Sequence, residues 1–325
     1  MAFTVLQPGL QTTVQDKGRL GYMASGFSPS GVMDHRACTL ANLLVSNHPD
    51  DPVLEFALLG PTLRFEDTAI VALAGGFFNP TLDGQAAPMY QPFVVKPGQT
   101  LALSGAQRGV YGYLAIANGG IAVPKVMGSA STNLKCGIGG FEGRTLKKDD
   151  VVPFNEITPD PDYDFSVNRY RNDPYYNFGY AVQTIRVVPG PQSELFATRG
   201  INTFYSSTYT VSPQSDRMGF RLNGPAIETL NGSDIVSDGI SLGAIQVPAT
   251  GTPIVMLADR QTVGGYAKIA TVASVDIPLL VQRQAGQQVK FVPISVIEAQ
   301  QLLTLEKNYY QEVQRAMEGK IRNGR

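Results

Sequence analysis

Two stretches of the chain set an acid beside a base just after a strand-like run. "SDRMGF" (residues 215–220) joins Asp216 to Arg217, and "ADRQTVGGYAK" (258–268) joins Asp259 to Arg260 and adds Gln261, Thr262, Gly264, Gly265 and Tyr266. Arginine is always charged and presents planar, paired donors, which suit a carboxylate, phosphate or carboxyphosphate. A neighbouring aspartate can hold the guanidinium in position or act on a proton. Adjacent glycines let backbone N–H groups come close to a ligand and admit positive φ. Gln246, in "AIQVP", offers an amide that both donates and accepts. The first half has similar chemistry in "QDKGR", with Gln15, Asp16 and Arg19, followed by Ser30 and Asp34. Ser129, Ser131 and Thr132 in "GSAST" supply hydroxyls from a turn. Two readings stay open at this level: turns braced by buried ion pairs, or walls of one polar site. Gly264-Gly265 likewise reads as a turn or bulge or as a ligand cradle.

The elements that must hold these residues are mostly strands. Among 325 residues, 34 glycines and 22 prolines punctuate short apolar runs, the spacing of barrels or sandwiches. Strands are expected at residues 3–6, 62–65, 69–73, 93–95, 100–103, 111–116, 184–188, 209–211, 254–256, 269–275 and 288–291. "SGVMDHRACTLANLLVSN" has helical periodicity, with Ser30 as its expected N-cap. A terminal helix is expected to end at Gly319, with Ile297, Leu302, Leu305, Tyr309, Val313 and Met317 along one stripe as a docking face. The expected organisation is a first β unit over residues 1–154, a Tyr/Asp/Pro-rich connection over 155–183, a second β unit over 184–294, and a helix and tail over 295–325.

Composition removes several function classes. Net charge is −1, so electrostatics favour neither nucleic acid nor an anionic membrane. No apolar run reaches the roughly 20 residues of a spanning helix. The start lacks the basic-then-apolar pattern of a signal peptide. Two cysteines make no disulfide framework, so the cytoplasm is the default compartment. With two histidines and no Cys-x-x-Cys or His-Glu-x-x-His, no metal site is expected. There is no Gly-x-x-x-x-Gly-Lys-Ser/Thr phosphate loop.

Longer motifs carry a resemblance. "QTTVQDKGRLGY", "SGVMDHRACTLANLLVSN", "LEFALLGPTLRF" and "YLAIANGGIAVPKVMGSASTN" occur in order in the first half. "GPQSELF", "SDRMGFRLNG", "SDGISLGAIQVPATGTPIVMLADRQTVGGY" and "IPLLVQRQAG" follow in the second. Together they resemble the allophanate hydrolase subunit 2 family, also called the KipA family, which includes the C-type component of 5-oxoprolinase. They are similar to the carboxyltransferase domain of urea carboxylase. The likeness runs to about residue 293. It implies a mainly β fold of two cyclophilin-like β-barrel units in one chain. It also implies two partners, a KipI-like protein and a LamB/YcsF-like protein. Together with this chain they open 5-oxoproline to L-glutamate, using ATP at the level of the complex.

Two alternatives accompany that implication. One is the carboxyltransferase component of a biotin-dependent, urea-carboxylase-like enzyme. No Met-Lys-Met carrier motif is present, so no covalent biotin is expected on this chain. The other is a KipA-type regulator that antagonises a KipI-like kinase inhibitor. The two enzyme readings share an amide-like carbonyl that gains negative charge, which preorganised donors stabilise. In those readings Asp216, Arg217, Asp259 and Tyr266 are the candidate catalytic groups. Gln15, Asp16, Arg19, Ser30, Asp34, Ser129, Ser131, Thr132, Gln246, Arg260, Gln261, Thr262, Gly264 and Gly265 are candidate substrate-binding residues, with Gln246 suited to a ureido or lactam edge.

Overall fold

The computed structural model describes residues 1–156, 178–179 and 181–322. The expected connection over 155–183 falls mostly on residues outside the described ones. Contacts group the chain into two units. The first comprises Met1–Arg19, Ser30–Tyr176 and Asn308–Arg325; the second comprises Leu20–Pro29 and Asn177–Lys307. The Leu20–Pro29 segment is tied within the second unit by Ser28 Oγ, which donates to the Ala258 carbonyl at 3.1 Å. The expectation of a mainly β chain holds.

In the first unit the strands form two sheets. The strands Ala2–Gln7, Thr62–Phe65 and Thr100–Ala102 pair within a six-stranded sheet, with Val151–Pro153 at the edge beside Ala2–Gln7. Gln11–Gln15, Val53–Ala57, Arg108–Ile116, Ala69–Phe77 and Phe93–Val95 form a five-stranded sheet. Ala69–Phe77 begins Ala-Ile-Val-Ala-Leu-Ala and is buried along almost its whole length, as expected of a strand covered on both faces. The helix His35–Leu44 lies against this sheet and buries Ala37, Leu40, Ala41 and Leu44.

Its N-cap is Asp34 and not Ser30. The Asp34 carboxylate accepts from Ala37 N at 2.9 Å, whereas Ser30 lies in the left-handed region at φ 54°. The loop between them is held by a buried chain of donors. Asp34 N donates to the Tyr113 hydroxyl, which donates to Glu55, and Glu55 also accepts from Met33 N. Burial, and next the Glu55 charge, push the Tyr113 phenol well above its usual range.

The second unit is a closed barrel. Its strands run in the order Val182–Pro189, Lys268–Val272, Ala244–Gln246, Ile254–Met256, Gly219–Asn223, Tyr209–Val211 and Gln288–Pro293. The last strand returns to pair in parallel with the first and leaves no open edge. Alternation sets the interior. In Val182–Pro189, Ile185 and Val187 are fully buried while Thr184, Arg186 and Val188 are not. A two-stranded arm of Asp234–Gly239 and Val263–Tyr266 extends from this barrel. It is well exposed, Val236 at 93%.

The terminal helix, Val296–Arg322, starts with a capping box. Ser295 N and Oγ donate to Glu298, and Glu298 N donates back to Ser295 Oγ. It runs past Gly319, because a single glycine costs only about 1 kcal/mol within a helix. The expected apolar stripe is buried only in its second part. Val313 and Met317 are covered, and Arg36 sits 4.6 Å above the Tyr309 ring, but Ile297 and Leu305 are exposed.

Tyr209 gives a test of the barrel core. Its ring packs against the stacked rings of Phe204 and Phe291, and its buried hydroxyl makes no hydrogen bond. Burial pushes its pKa up to about 12. An unfolded tyrosine ionises near pH 10, so the folded chain keeps this proton longer and stability is lost as pH rises from about 10 to 12. Tyr209→Phe is expected to be neutral or stabilising near pH 8, by roughly 0–1 kcal/mol. Urea midpoints should also fall less steeply with pH in the variant than in the parent above about pH 10.

Candidate functional site

The polar residues of the first unit are extensively hydrogen-bonded to one another, although Gln15 Oε1 is buried without a hydrogen bond. Asp16 is buried, and its carboxylate accepts from Ser129 Oγ and Ser131 Oγ at 2.6 Å, from Ala130 N at 2.6 Å and from Gly18 N at 2.8 Å. Four donors, three on Oδ1 and one on Oδ2, clamp the "GSAST" turn to the end of the strand Gln11–Gln15. Thr132 Oγ1 donates to Val14 O, and Gln15 Nε2 donates to Thr13 and to the Thr132 carbonyl. Arg19, fully buried, donates from Nη2 to the Ser131 carbonyl. Ser30 and Asp34 belong to the helix entry described above. A cavity of about 470 Å³ lies in the same unit, lined by Val123, Val126, Ile138, Phe141 and the glycines between them. Its lining is chiefly apolar, with Glu142 as its titratable member, so it suits the apolar part of a ligand.

In the second unit the two Asp-Arg pairs cross over. Arg217 Nε donates to Asp259 Oδ2 at 2.9 Å, and Asp259 N donates to the Arg217 carbonyl at 2.9 Å. Side chain and backbone therefore staple the 217 turn to the 259 turn. Asp216 faces the other way. Its carboxylate accepts from Met218 N and Gly219 N, which closes the turn entering the strand Gly219–Asn223. Arg260 Nε donates to the Ile240 carbonyl at 2.9 Å and Nη1 to the Leu257 carbonyl. Burial lowers its pKa from the usual value. It anchors the segment that leads out of the arm.

A second group of residues meets at the root of that arm, and its polar atoms are not satisfied. Gln246 and Lys268 are paired residues on adjacent barrel strands. Directly opposed side chains in an antiparallel pair share a face. Both are buried, and Gln246 Nε2 and Lys268 Nζ make no hydrogen bond. Lys268 Nζ is 3.5 Å from Asp238, whose side chain is 58% exposed. The Asp238 pKa is lowered, first by the Gly239 N–H and next by Lys268. Gln192 joins them: its Oε1 accepts from Lys268 N, and its amide is a minor contributor to the lowered Asp238 pKa. Ser233 Oγ, also buried without a hydrogen bond, lies where the Ser233 carbonyl accepts from Ala267 N.

Of the expected residues, Gln246 and Gly264 meet here. Gly264 and Gly265 lie in the strand Val263–Tyr266 and neither has positive φ. What they supply is space. A Cβ on Gly264 would lie 2.8 Å from Gln246 Nε2 and 2.7 Å from Ile240 Cδ1, while one on Gly265 would meet nothing closer than 3.4 Å. Tyr266 and Gln261 are exposed, Thr262 is half-buried, and the Thr262 carbonyl accepts from Ile240 N. Lys268, Gln192, Asp238 and Ser233 are not among the candidate residues, although Gln192 lies in "GPQSELF", Asp238 in "SDGISLG" and Lys268 at the end of "ADRQTVGGYAK". The available signal is a lysine set two residues after "GGY" in a strand that otherwise reads as apolar. Among the described residues no group of three or more His, Cys, Asp or Glu can hold a metal ion.

The crossed ion pair predicts coupling. Burial of Arg217 against Asp259 makes it a determinant of stability. Arg217→Met and Asp259→Asn should each destabilise the chain, and the double variant should lose less than the sum, by about 1–3 kcal/mol. Additive losses in urea unfolding would refute the staple.

Residues 25–293 match the family described as carboxyltransferase domain, subdomain A and B. The chain is 38% identical to the C-type component of 5-oxoprolinase from Escherichia coli (strain K12) over 309 residues, covering 95% of this chain and 96% of that protein. It is 34% identical to urea amidolyase of Saccharomyces cerevisiae over 314 residues, covering 90% of this chain and 17% of that one. Among solved structures, the urea amidolyase of K. lactis superposes with a TM-score of 0.88 at 32% identity, over 96% of this chain and 20% of that one. The chain belongs to the family of carboxyltransferase domains, subdomains A and B.

Proposed function

We propose that this chain is the C-type component of an ATP-dependent 5-oxoprolinase complex of the cytoplasm, which opens 5-oxoproline to L-glutamate. The observation that carries this reading is the alignment with the Escherichia coli 5-oxoprolinase component along 96% of that protein's length. The site at the arm root suits the substrate class. Opening a lactam breaks the ring C–N bond, water supplies the new carboxylate oxygen, and the carbonyl oxygen carries negative charge on the way. Donors held in place before reaction stabilise that charge without reorganising. Gln246 presents an amide suited to the lactam edge, and the Gly264 backbone packs directly against it. Tyr266 stands exposed on the arm, where a second protein can complete the site. A KipI-like protein is the proposed contributor, with a LamB/YcsF-like protein as third component. ATP acts at the level of the complex, and no step on this chain is assigned to it.

A second reading, carboxyl transfer to urea with a separate biotin carrier, is supported by the superposition on urea amidolyase over 96% of the chain. Reconstitution separates the two. Mixing the chain with its KipI-like and LamB/YcsF-like partners should yield glutamate from 5-oxoproline and ATP, and omission of any one component should abolish it. Glutamate formed without this chain would refute the proposal. ATP-dependent carboxylation of urea, in a mixture with biotin carboxylase and carrier in place of the LamB/YcsF-like protein, would establish the second reading. Within the active complex, Tyr266→Phe is expected to leave the melting temperature unchanged and to lower kcat about a hundredfold if the phenol moves a proton.

A further inference from the structure

Three buried polar atoms at the root of the arm lack hydrogen bonds: Lys268 Nζ, Gln246 Nε2 and Ser233 Oγ. Buried polar groups are normally paired, because desolvating them without compensation costs several kcal/mol. Two of the three are donors only, and the third is able to donate. One carries a positive charge when protonated. An arrangement of this kind fits an acceptor-rich, negatively charged group.

The nearest internal acceptor is a poor one. Asp238 stands 3.5 Å from Lys268 Nζ, longer than a charge-assisted hydrogen bond of about 2.7–2.9 Å. It is also the exposed member of the pair, at 58% against 4% for the lysine side chain. Asp238 is thus the solvent-side neighbour of a buried cationic group. Glycines let the backbone pack closely around the two donors. A Cβ on Gly264 would lie 2.8 Å from Gln246 Nε2, and one on Gly190 2.1 Å from the Lys268 carbonyl. Gln192 fixes the lysine backbone through Lys268 N.

We propose that Lys268 Nζ and Gln246 Nε2 form a carboxylate-binding subsite at the arm root, and that Asp238 occupies the lysine until a ligand carboxylate displaces it. The ligand class is a small monocarboxylate whose two oxygens accept from the lysine and the glutamine. That this carboxylate is the one on 5-oxoproline rests on the function proposed above; the subsite itself does not.

Calorimetric titration of the full chain tests it with three probes: 5-oxoproline, acetate as carboxylate without lactam, and 2-pyrrolidinone as lactam without carboxylate. The first two should bind, and 2-pyrrolidinone at least about tenfold more weakly than 5-oxoproline, the size expected for one charge-assisted contact. Lys268→Met should lose at least about tenfold in acetate affinity while melting at the same or a higher temperature, since it removes a buried group without a hydrogen bond. Asp238→Asn, at an exposed position that does not threaten the fold, should bind acetate several-fold more tightly because the internal competitor is neutralised.

The proposal is overturned if acetate fails to bind even to Asp238→Asn, if Lys268→Met binds it as the parent does, or if 2-pyrrolidinone matches 5-oxoproline. Should Lys268→Met not fold, Gln246→Leu and Asp238→Asn decide by the same affinities. Lysine-dependent acetate binding in a chain that supports no glutamate formation would keep the subsite and remove the 5-oxoprolinase reading. Glutamate formation with affinities indifferent to Lys268 would do the reverse.

Discussion

The antiparallel strands Ala244–Gln246 and Lys268–Val272 pair Ile245 with Ala270 and then Gln246 with Lys268. One residue, Ile269, is therefore left over on the second strand. Such a bulge re-aims the side chains around it and bends the strand. Here it keeps Ile269 buried with the apolar residues while Lys268 stands opposite Gln246. The arm, the 240 segment and the 190 turn all make contact with residues beside this irregularity, through Ala267, Gly264, Ile269 and Lys268. A regular register would flip the lysine to the opposite face, because the side-chain period of a strand is two.

The barrel can tolerate that irregularity because it is closed elsewhere. Parallel pairing of Val182–Pro189 with Gln288–Pro293 completes the hydrogen-bonded circuit. Arg186 reinforces it by donating to the buried Asp276 from Nε and from its own backbone N–H. The Arg217–Asp259 staple and the Arg260 anchor hold the turns next to the arm. These arginines sit near the site and act on its frame. Their forked donors meet carboxylates and carbonyls of the chain, so their positions leave the ligand-facing role to residues of other types.

The two polar clusters differ in one respect that bears on function. Around Asp16 the carboxylate accepts four hydrogen bonds, three on Oδ1 and one on Oδ2, and the result is a braced turn. Around Lys268, the donors Lys268 Nζ, Gln246 Nε2 and Ser233 Oγ are buried without a hydrogen bond. Stability alone favours the first arrangement, since unsatisfied buried groups lower it. A protein retains the second when something else completes it, and this is the physical content of a preformed binding site.

Much of this was legible in the sequence. Glycine and proline punctuation marked a β-rich chain, and every expected strand overlaps an observed one, because β-branched and aromatic runs between turn residues have few other uses. Two residues of "AIQ…GGY" singled out in the sequence, Gln246 and Gly264, do meet in the folded chain. Other features were beyond its reach. Asp216 and Arg217 are adjacent in sequence yet face different partners, because each partner comes from the fold. Positive φ was a fair expectation for Gly264 and Gly265, but close packing against Gln246 and Ile240 explains Gly264 better, and packing distance cannot be read along one chain. Lys268 looked like an ordinary lysine shortly after a tyrosine. The sequence by itself determined which residues could donate, accept or carry charge, and which runs would be strands. Only tertiary structure decided which of those groups would satisfy one another and which would be buried without a partner, because hydrogen bonding and burial depend on neighbours dozens of residues away.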